Sequence, residues 1–500
     1  MNQLKYDVHI ASGRRKLVEI TDFSLSENKI TFLFGESGIG KSIISKAIYG
    51  LLDPEELRIK INNKLYENYL QSAEMKDIQA NGFFVFQEPS THLNPLLSLQ
   101  TQLSEGSLQD VSSADELSIL KYLWKGSDPD FLKRLLKVFP KPYRPSGGEK
   151  QRILLVMAFK KIKKYLDDNK CNSALFVFDE PSGSLDNTYR DLFIQLLLEC
   201  YKQKPFTSII ITHDYSVISM IERNYQNLSG GIEYKELARQ NDSIRLSTFS
   251  KDAYLGWIKT QSVGRANAAY DNQPVVRLKS GVRIFGKTLS FHQGNQKAQP
   301  GLMELKKGEL IYLKAQSGVG KTTIAKIIMG LINADNMEMA FGKYLVKQDT
   351  RESFWRKVIW GKLGSMIFQH ADEALNQNAT VWEIFKALPN HGKKSRSEVL
   401  KIVQELFDIK LNGSFLDKKI KFLSGGQKQR INILRTITLG TELLIMDEPL
   451  NGLDLKSAHK VIEKIKQHQA AGKAVLLISH NEEIFDRIVK QENVYYLKAV

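Results

Sequence analysis

The sequence is short of the features that build a secreted, membrane-spanning or metal-stapled protein. Among 500 residues only Cys171 and Cys200 carry thiols. Two thiols cannot make a disulfide scaffold, a four-cysteine zinc site or a cysteine-bound iron–sulfur cluster. No apolar run approaches the ~18–20 residues that a bilayer span needs; the longest, such as Ser208–Ile211 and Ala474–Ile478, have the size of strands. The first twenty residues hold no continuous apolar segment, so a secretory signal is not expected. Dense blocks of one charge are missing too, although 71 basic residues face 55 acidic ones for a net charge of +16. Such a surface suits phosphate-rich partners or an anionic membrane leaflet, or is simply a solvated lysine-rich exterior. With 42% hydrophobic and 25% charged residues the chain is ordinarily globular, and too long for a single core. The expectation is a soluble, cytosolic chain of two or three domains.

What is present is a duplication. GESGIGKS at Gly35–Ser42 returns as AQSGVGKT at Ala315–Thr322, and Phe86-Gln87 returns as Phe368-Gln369. PSGGEKQR at Pro145–Arg152 returns as LSGGQKQR at Leu423–Arg430, FVFDEP at Phe176–Pro181 as LIMDEP at Leu444–Pro449, and THD at Thr212–Asp214 as SHN at Ser479–Asn481. The offsets are 321 − 41 = 280, 369 − 87 = 282, 424 − 146 = 278, 447 − 179 = 268 and 480 − 213 = 267. The step from 278 to 268 gives the first copy about ten extra residues, which the Lys- and Asp-rich stretch Lys160–Asn172 can hold. The copies are expected at 1–250 and 276–500, joined by a linker at 251–275 that is polar and rich in small residues. If flexible, such a linker spans roughly 25–30 Å.

Ile30–Phe34 and Leu310–Leu313 read as short strands, each running into a glycine-rich loop and then apolar residues at helical spacing. Ala174–Phe178, Leu443–Met446, Ser208–Ile211 and Ala474–Ile478 read as buried strands. Apolar strands alternating with helical patterns predict a parallel α/β sheet with helices on both faces.

The pattern G-x-x-x-x-G-K-[ST] is complete in Gly35, Glu36, Ser37, Gly38, Ile39, Gly40, Lys41 and Ser42. Glycines let the backbone close round phosphates with its N–H groups inward, the lysine meets the β- and γ-phosphates, and the hydroxyl ligates Mg²⁺. In Ala315, Gln316, Ser317, Gly318, Val319, Gly320, Lys321 and Thr322 only the opening glycine is replaced. Asp179 and Asp447 end apolar strands where they can hold Mg²⁺, and the neighbouring Glu180 and Glu448 can orient or activate an attacking water. Ser146-Gly147-Gly148 and Ser424-Gly425-Gly426 read as small-residue helix starts, useful as lids over a γ-phosphate.

Together these motifs resemble the nucleotide-binding domains of the ABC ATPase superfamily, and the likeness covers nearly the whole chain. It implies an α/β fold of two tandem P-loop NTPase domains, each a largely parallel sheet flanked by helices with a helical subdomain. It implies ATP as substrate with Mg²⁺, Gln87 and Gln369 as Q-loop residues reaching Mg²⁺, and the SGG serines as signature residues. Asp186 and Asp454 match the D-loop, and His213 and His480 the switch histidine at the γ-phosphate. The family pairs cassettes head to tail, so that each P-loop is completed by the other cassette's SGG turn. The two departures, Ala315 and Pro145, then fall on one composite site, and the expectation is two hydrolysing sites of which the second is weaker. An adenine-stacking aromatic upstream of each P-loop is implied as well; Phe291 is the candidate in the second copy, and Tyr6 or His9 in the first.

GESGIGKS, AIYGLL and FQEPSTHLNPLLSL after it are similar to the peptide/nickel importer subfamily, echoed by FQHADEALNQNATV. That likeness implies an ATPase at the cytoplasmic face of the membrane, peripheral to two permease subunits, with an extracytoplasmic solute-binding protein and no nucleic acid. Alternatives are an energy-coupling vitamin importer ATPase and a soluble ABC-F-type translation factor. The latter would carry a long, charged helical linker, whereas 251–274 holds only Lys251, Asp252, Lys259, Arg265 and Asp271 as charges.

Overall fold

The computed structural model describes residues 3–13, 15–109, 111–125, 128–137, 145–169, 171, 173–181, 187–240, 243–263, 274–316, 318–389, 394–407 and 410–499. Two compact units divide the chain, Met1–Ala253 and Tyr254–Val500.

In the first unit, β1 (Gln3–Ser12), β2 (Arg15–Ser26), β4 (Arg58–Ile61) and β5 (Lys64–Leu65) form an antiparallel sheet in the order β2-β1-β4-β5. The main sheet uses β3 (Ile30–Gly35), β6 (Phe83–Val85), β7 (Leu175–Asp179), β8 (Thr207–Ile211), β9 (Ile232–Gln240) and β10 (Ser243–Thr248), in the order β10-β9-β3-β8-β7-β6. Every pair in it is parallel except β9 with β10. Strands β3, β7 and β8 are buried along their whole length, which is why they read as unbroken apolar runs rather than alternating ones. Between β6 and β7 the chain makes helices Leu99–Leu103, Ser113–Leu123 and Pro129–Leu136 before the long helix Gly147–Asp167.

The second unit repeats this plan. Its antiparallel sheet runs β15-β11-β17-β18, with β11 at Pro274–Leu278, β15 at Met303–Lys306, β17 at Glu338–Phe341 and β18 at Tyr344–Lys347. The main sheet runs β12-β13-β22-β16-β21-β20-β19, from β12 (Val282–Ile284), β13 (Lys287–Gln293), β16 (Leu310–Lys314), β19 (Gly364–Ile367), β20 (Leu443–Asp447), β21 (Ala474–Ile478) and β22 (Val494–Ala499). A short β14 (Pro300–Gly301) pairs with β13. The antiparallel neighbour of β22 is β13, from the start of the copy, whereas the antiparallel neighbour of β9 is β10, from the end. Helices Ala371–Ala374, Val381–Lys386 and Arg396–Gln404 match the helical segment of the first unit.

Most of the extra length of the first copy is helical. Helix Gly147–Asp167 has 21 residues where Gly425–Thr438 has 14, about two further turns, and they fall in Lys160–Asn172 as expected.

The expected linker at 251–275 is corrected in its first half. Lys251–Thr260 is a helix. Tyr254 and Ile258 are buried, the latter in the second unit's apolar cluster, because Tyr254, Trp257, Ile258 and Gln261 fall at helical spacing and give a short polar segment one apolar edge.

Candidate active sites

Each glycine-rich loop joins a buried strand to a helix, Lys41–Ile48 in the first unit and Lys321–Ile328 in the second. The opening residues differ in backbone. Gly35 has φ 138, and a Cβ there would stand 2.5 Å from the Leu237 carbonyl oxygen of β9, so only glycine fits. Ala315 is not in the positive-φ region and carries its methyl without that conflict. Lys41 Nζ donates to the carbonyls of Gly35 (2.6 Å) and Glu36 (3.1 Å); Lys321 Nζ donates to those of Ala315 (2.8 Å) and Gln316 (3.4 Å). Each loop thus curls round its own lysine. Ser317 lies outside the described residues, as does Asp186.

The strand-end carboxylates meet the loop hydroxyls. Ser42 donates to Asp179 Oδ1 at 2.8 Å, and Thr322 is hydrogen-bonded to Asp447. Both aspartates are 1% exposed. Burial raises both carboxyls, Asp179 to about 6. Asp447 Oδ2 is buried with no hydrogen-bond partner. A buried carboxylate oxygen left open beside a hydroxyl is a donor set that fits Mg²⁺, an ion that takes one or two protein oxygens and fills its sphere with phosphate and water.

The next residue does the unusual thing in both copies. Glu180 and Glu448 adopt φ of 47° and 48°, the left-handed region that L-residues rarely enter. Such backbone costs on the order of 1–3 kcal/mol and persists only where its surroundings fix it; here each glutamate N–H is held at 2.9 Å by the adjacent strand, through the Ile211 and Ile478 carbonyls.

The carboxylates then part company. Glu180 Oε1 lies 3.0 Å from His213 Nε2, and its Oε2 accepts from Gln87 Nε2 at 3.0 Å. Burial pushes the Glu180 carboxyl up, but His213, Lys41 and Gln87 outweigh it and hold it below the usual range. His213 also lies 3.3 Å from Lys41 Nζ. Glu448 instead takes Ser479 Oγ–H (3.0 Å) and the His480 backbone N–H (3.1 Å) on one oxygen, while its Oε1 is 3.6 Å from His480 Nε2. Burial dominates, and its carboxyl rises to about 7. Gln369 makes no bond to Glu448. His480 is 38% exposed against 10% for His213. The first site therefore has its lysine, histidine, glutamate and glutamine gathered; the second is looser.

Ser146 and Ser424 cap the helices Gly147–Asp167 and Gly425–Thr438. Each accepts from the backbone N–H three residues on, and Glu149 or Gln427 reaches back to close a capping box. Gly147, Gly148, Gly425 and Gly426 supply the first turn of each helix, whose N–H groups and dipole favour an anion.

Two of the three adenine candidates are buried, and the third stays part-exposed. Phe291 is 0% exposed within the apolar core, Tyr6 is 1% exposed and bonded to Glu74, and His9 faces Glu19. A strand pattern shows that an aromatic alternates with polar residues but not which face is dry. A pair the motifs missed is Arg190, which bonds Asp214 next to His213.

The family model for ABC transporters matches residues 18–182 and 300–451. Relatives include the glutathione import ATP-binding protein GsiA of Escherichia coli O157:H7 and that of Escherichia coli strain K12, each 26% identical over 96% of this chain and 81% of theirs. Among solved structures, the archaeal ribosome recycling factor aABCE1 has a TM-score of 0.62 at 16% identity, covering 98% of this chain and 89% of that one, a likeness of fold alone. Because that model matches well over half of the chain, once in each copy, the protein belongs to the ABC transporter family and is an ATP hydrolase built from two fused cassettes.

Proposed function

We propose that this chain is the ATPase subunit of an importer for a peptide, nickel or a related small solute. It would sit peripherally at the cytoplasmic face of a membrane, against two permease subunits supplied with cargo by an extracytoplasmic solute-binding protein. The observation that carries the proposal is the doubled set of lysine, hydroxyl, aspartate, glutamate and histidine around two P-loops. The importer names of full-length relatives support the transport reading, and among the described residues no helix is long and apolar enough to cross a membrane, so the pore must come from elsewhere.

In this reading Lys41 and Lys321 exchange their loop carbonyls for the β- and γ-phosphates of ATP. Ser42 with Asp179, and Thr322 with Asp447, would hold Mg²⁺, joined by Gln87 and Gln369. The ion, when bound, neutralises charge on the bridging phosphate oxygens. Glu180 and Glu448 hold the water that attacks the γ-phosphorus and take its proton, and His213 and His480 fix the γ-phosphate. A carboxyl near 7, as at Glu448, is well placed to accept that proton at neutral pH. The helix starts at Ser146–Gly148 and Ser424–Gly426 supply further N–H donors to phosphate. The second site, with its exposed His480 and unbound Gln369, is the slower.

Affinity purification of the full chain from its own cells tests the reading. Recovery of two membrane proteins, with ATP turnover stimulated by one solute-binding protein, is the expected result. Recovery with ribosomes would move the chain to the translation-factor reading, against which stands a connecting helix of only ten residues.

A further inference from the structure

Helix Lys251–Thr260 leaves the first unit at Ala253, and from Tyr254 onward its side chains engage the second. The buried Tyr254 donates its hydroxyl to Glu483 Oε2 at 2.8 Å. Trp257 stacks on His459, with ring centres 3.9 Å apart and planes 17° apart. Gln261 accepts from Lys466 Nζ at 3.0 Å. These anchors are not scattered. Glu483 belongs to helix Glu482–Ile488, which starts directly after His480-Asn481. His459 and Lys466 belong to helix Leu455–Ala470, which Asp454 caps by accepting from Ser457 N–H at 2.7 Å. The connecting helix thus bridges the element that follows the switch histidine and the element that follows the D-loop carboxylate.

The first copy ties the same two elements together differently. Arg190, on helix Asn187–Gln203, pairs with Asp214 beside His213 and donates to Ser216 Oγ at 2.6 Å. Arg190 is 8% exposed, so this is a buried tie. With the offsets of the repeat, its counterparts are Ala458 (190 + 268) and Asn481 (214 + 267). Alanine has nothing to pair with, and Asn481 points its N–H and Nδ2 at Ser479 Oγ. The second copy has no ion pair at these two positions, and an aromatic helix spans the gap.

We infer that Tyr254 and Trp257 are positioning residues of the second ATP site, replacing the Arg190–Asp214 tie. This rests on reading His480 and Asp454 as parts of that site. Neither aromatic touches a reacting atom. Both act by fixing helix Glu482–Ile488 against helix Leu455–Ala470, and so the place where the exposed His480 imidazole settles. The connecting segment at the start of the second unit thereby governs the readiness of that unit's own site.

The test uses the full chain as Trp257→Ala, Trp257→Phe and Tyr254→Phe, with hydrogen exchange in the absence of nucleotide and steady-state ATP turnover. Trp257→Ala should speed exchange about tenfold in Leu455–Ala470 and Glu482–Ile488 and leave Asn187–Gln203 and Ser216–Asn224 unchanged. Its kcat should fall roughly three- to tenfold with KM for ATP within about twofold, and Trp257→Phe should recover most of the loss. Unchanged kcat overturns the inference. So does a kcat loss accompanied by a raised KM and faster exchange in the P-loop helix Lys321–Ile328, which would mean general loosening. Lys321→Ala and His480→Ala, assayed alongside, separate the two levels: if neither lowers turnover, the reading of the site has failed rather than the role of the helix.

Discussion

Replacing each catalytic-site glutamate by glutamine should shift stability in opposite directions. Glu448 is 6% exposed, and its two accepted hydrogen bonds do not offset its desolvation, so its carboxyl stands at about 7 instead of 4.5. A carboxyl raised in the folded state costs nothing below its unfolded value and penalises the fold as pH climbs through the folded one. Between pH 4.5 and 7 the second cassette therefore loses stability, by about 3 kcal/mol once the group is fully ionised. Glutamine cannot ionise, and its side-chain oxygen can still accept from Ser479 and the His480 N–H. Glu448→Gln should stabilise the second cassette by about 2–3 kcal/mol at pH 8 and by about 1 kcal/mol at pH 5.5. Glu180 is the reverse case, held below its usual range by His213, Lys41 and Gln87 against the pull of burial. Its contribution is fully present above the ordinary carboxyl value of 4.5 and is lost only as pH falls below it, so Glu180→Gln should weaken the first cassette about equally at pH 8 and at pH 5.5. The assay is hydrogen exchange across a urea series in EDTA without nucleotide, reading Leu443–Ile478 and Leu175–Ile211 separately, since a two-cassette chain has no single unfolding free energy. A Glu448→Gln chain no more stable at pH 8 than at pH 5.5, relative to the parent, would refute the reasoning.

With Mg²⁺ and ATP, Glu180→Gln should lower turnover of the full chain more than Glu448→Gln, because the first site has its groups gathered; equal losses in a steady-state phosphate assay would remove that asymmetry. Gly35→Ala should destabilise the first cassette by about 2–3 kcal/mol through its left-handed backbone and the Leu237 carbonyl, whereas Ala315→Gly should change the second by less than about 1 kcal/mol, both read by denaturant titration. Asn432 is 0% exposed with both amide atoms unpartnered, and Leu154 holds its place in the first copy (432 − 154 = 278). Asn432→Leu should stabilise the second cassette by about 1–2 kcal/mol, visible as a higher denaturation midpoint with unchanged turnover.

The motifs and the main-sheet strands were legible because a parallel strand buried on both faces must be a short apolar run, and because each such run ends where chemistry begins. Ala474–Ile478 was read to the residue, and the others to within one or two positions. What escaped depends on partners far away in the chain. Tyr254 and Glu483 are 229 residues apart, and no local pattern announces their bond. Phe291 looked available because alternation in a strand does not say which side is dry. The left-handed turn at Glu180 and Glu448 has no sequence signature either, since the carboxylate types would be the same in a relaxed loop. One missed signal was in reach: aligning the repeats sets Arg190 against Ala458 and Asp214 against Asn481, a paired absence of opposite charges.

The antiparallel strand beside the outermost parallel one of each main sheet comes from opposite ends of the two copies, β10 trailing the first and β13 leading the second. Cleavage between the halves is consequently not symmetric in its effects. A fragment ending near residue 242 would leave β9 with a bare edge, and one starting after residue 293 would do the same to β22. The division that repetition in the sequence proposes, between 275 and 276, spares β10 and β13 but falls inside β11 (Pro274–Leu278) and severs Tyr254 and Trp257 from the half they serve. Separately expressed halves should for that reason be cut upstream of Lys251, handing the whole connecting helix to the downstream partner.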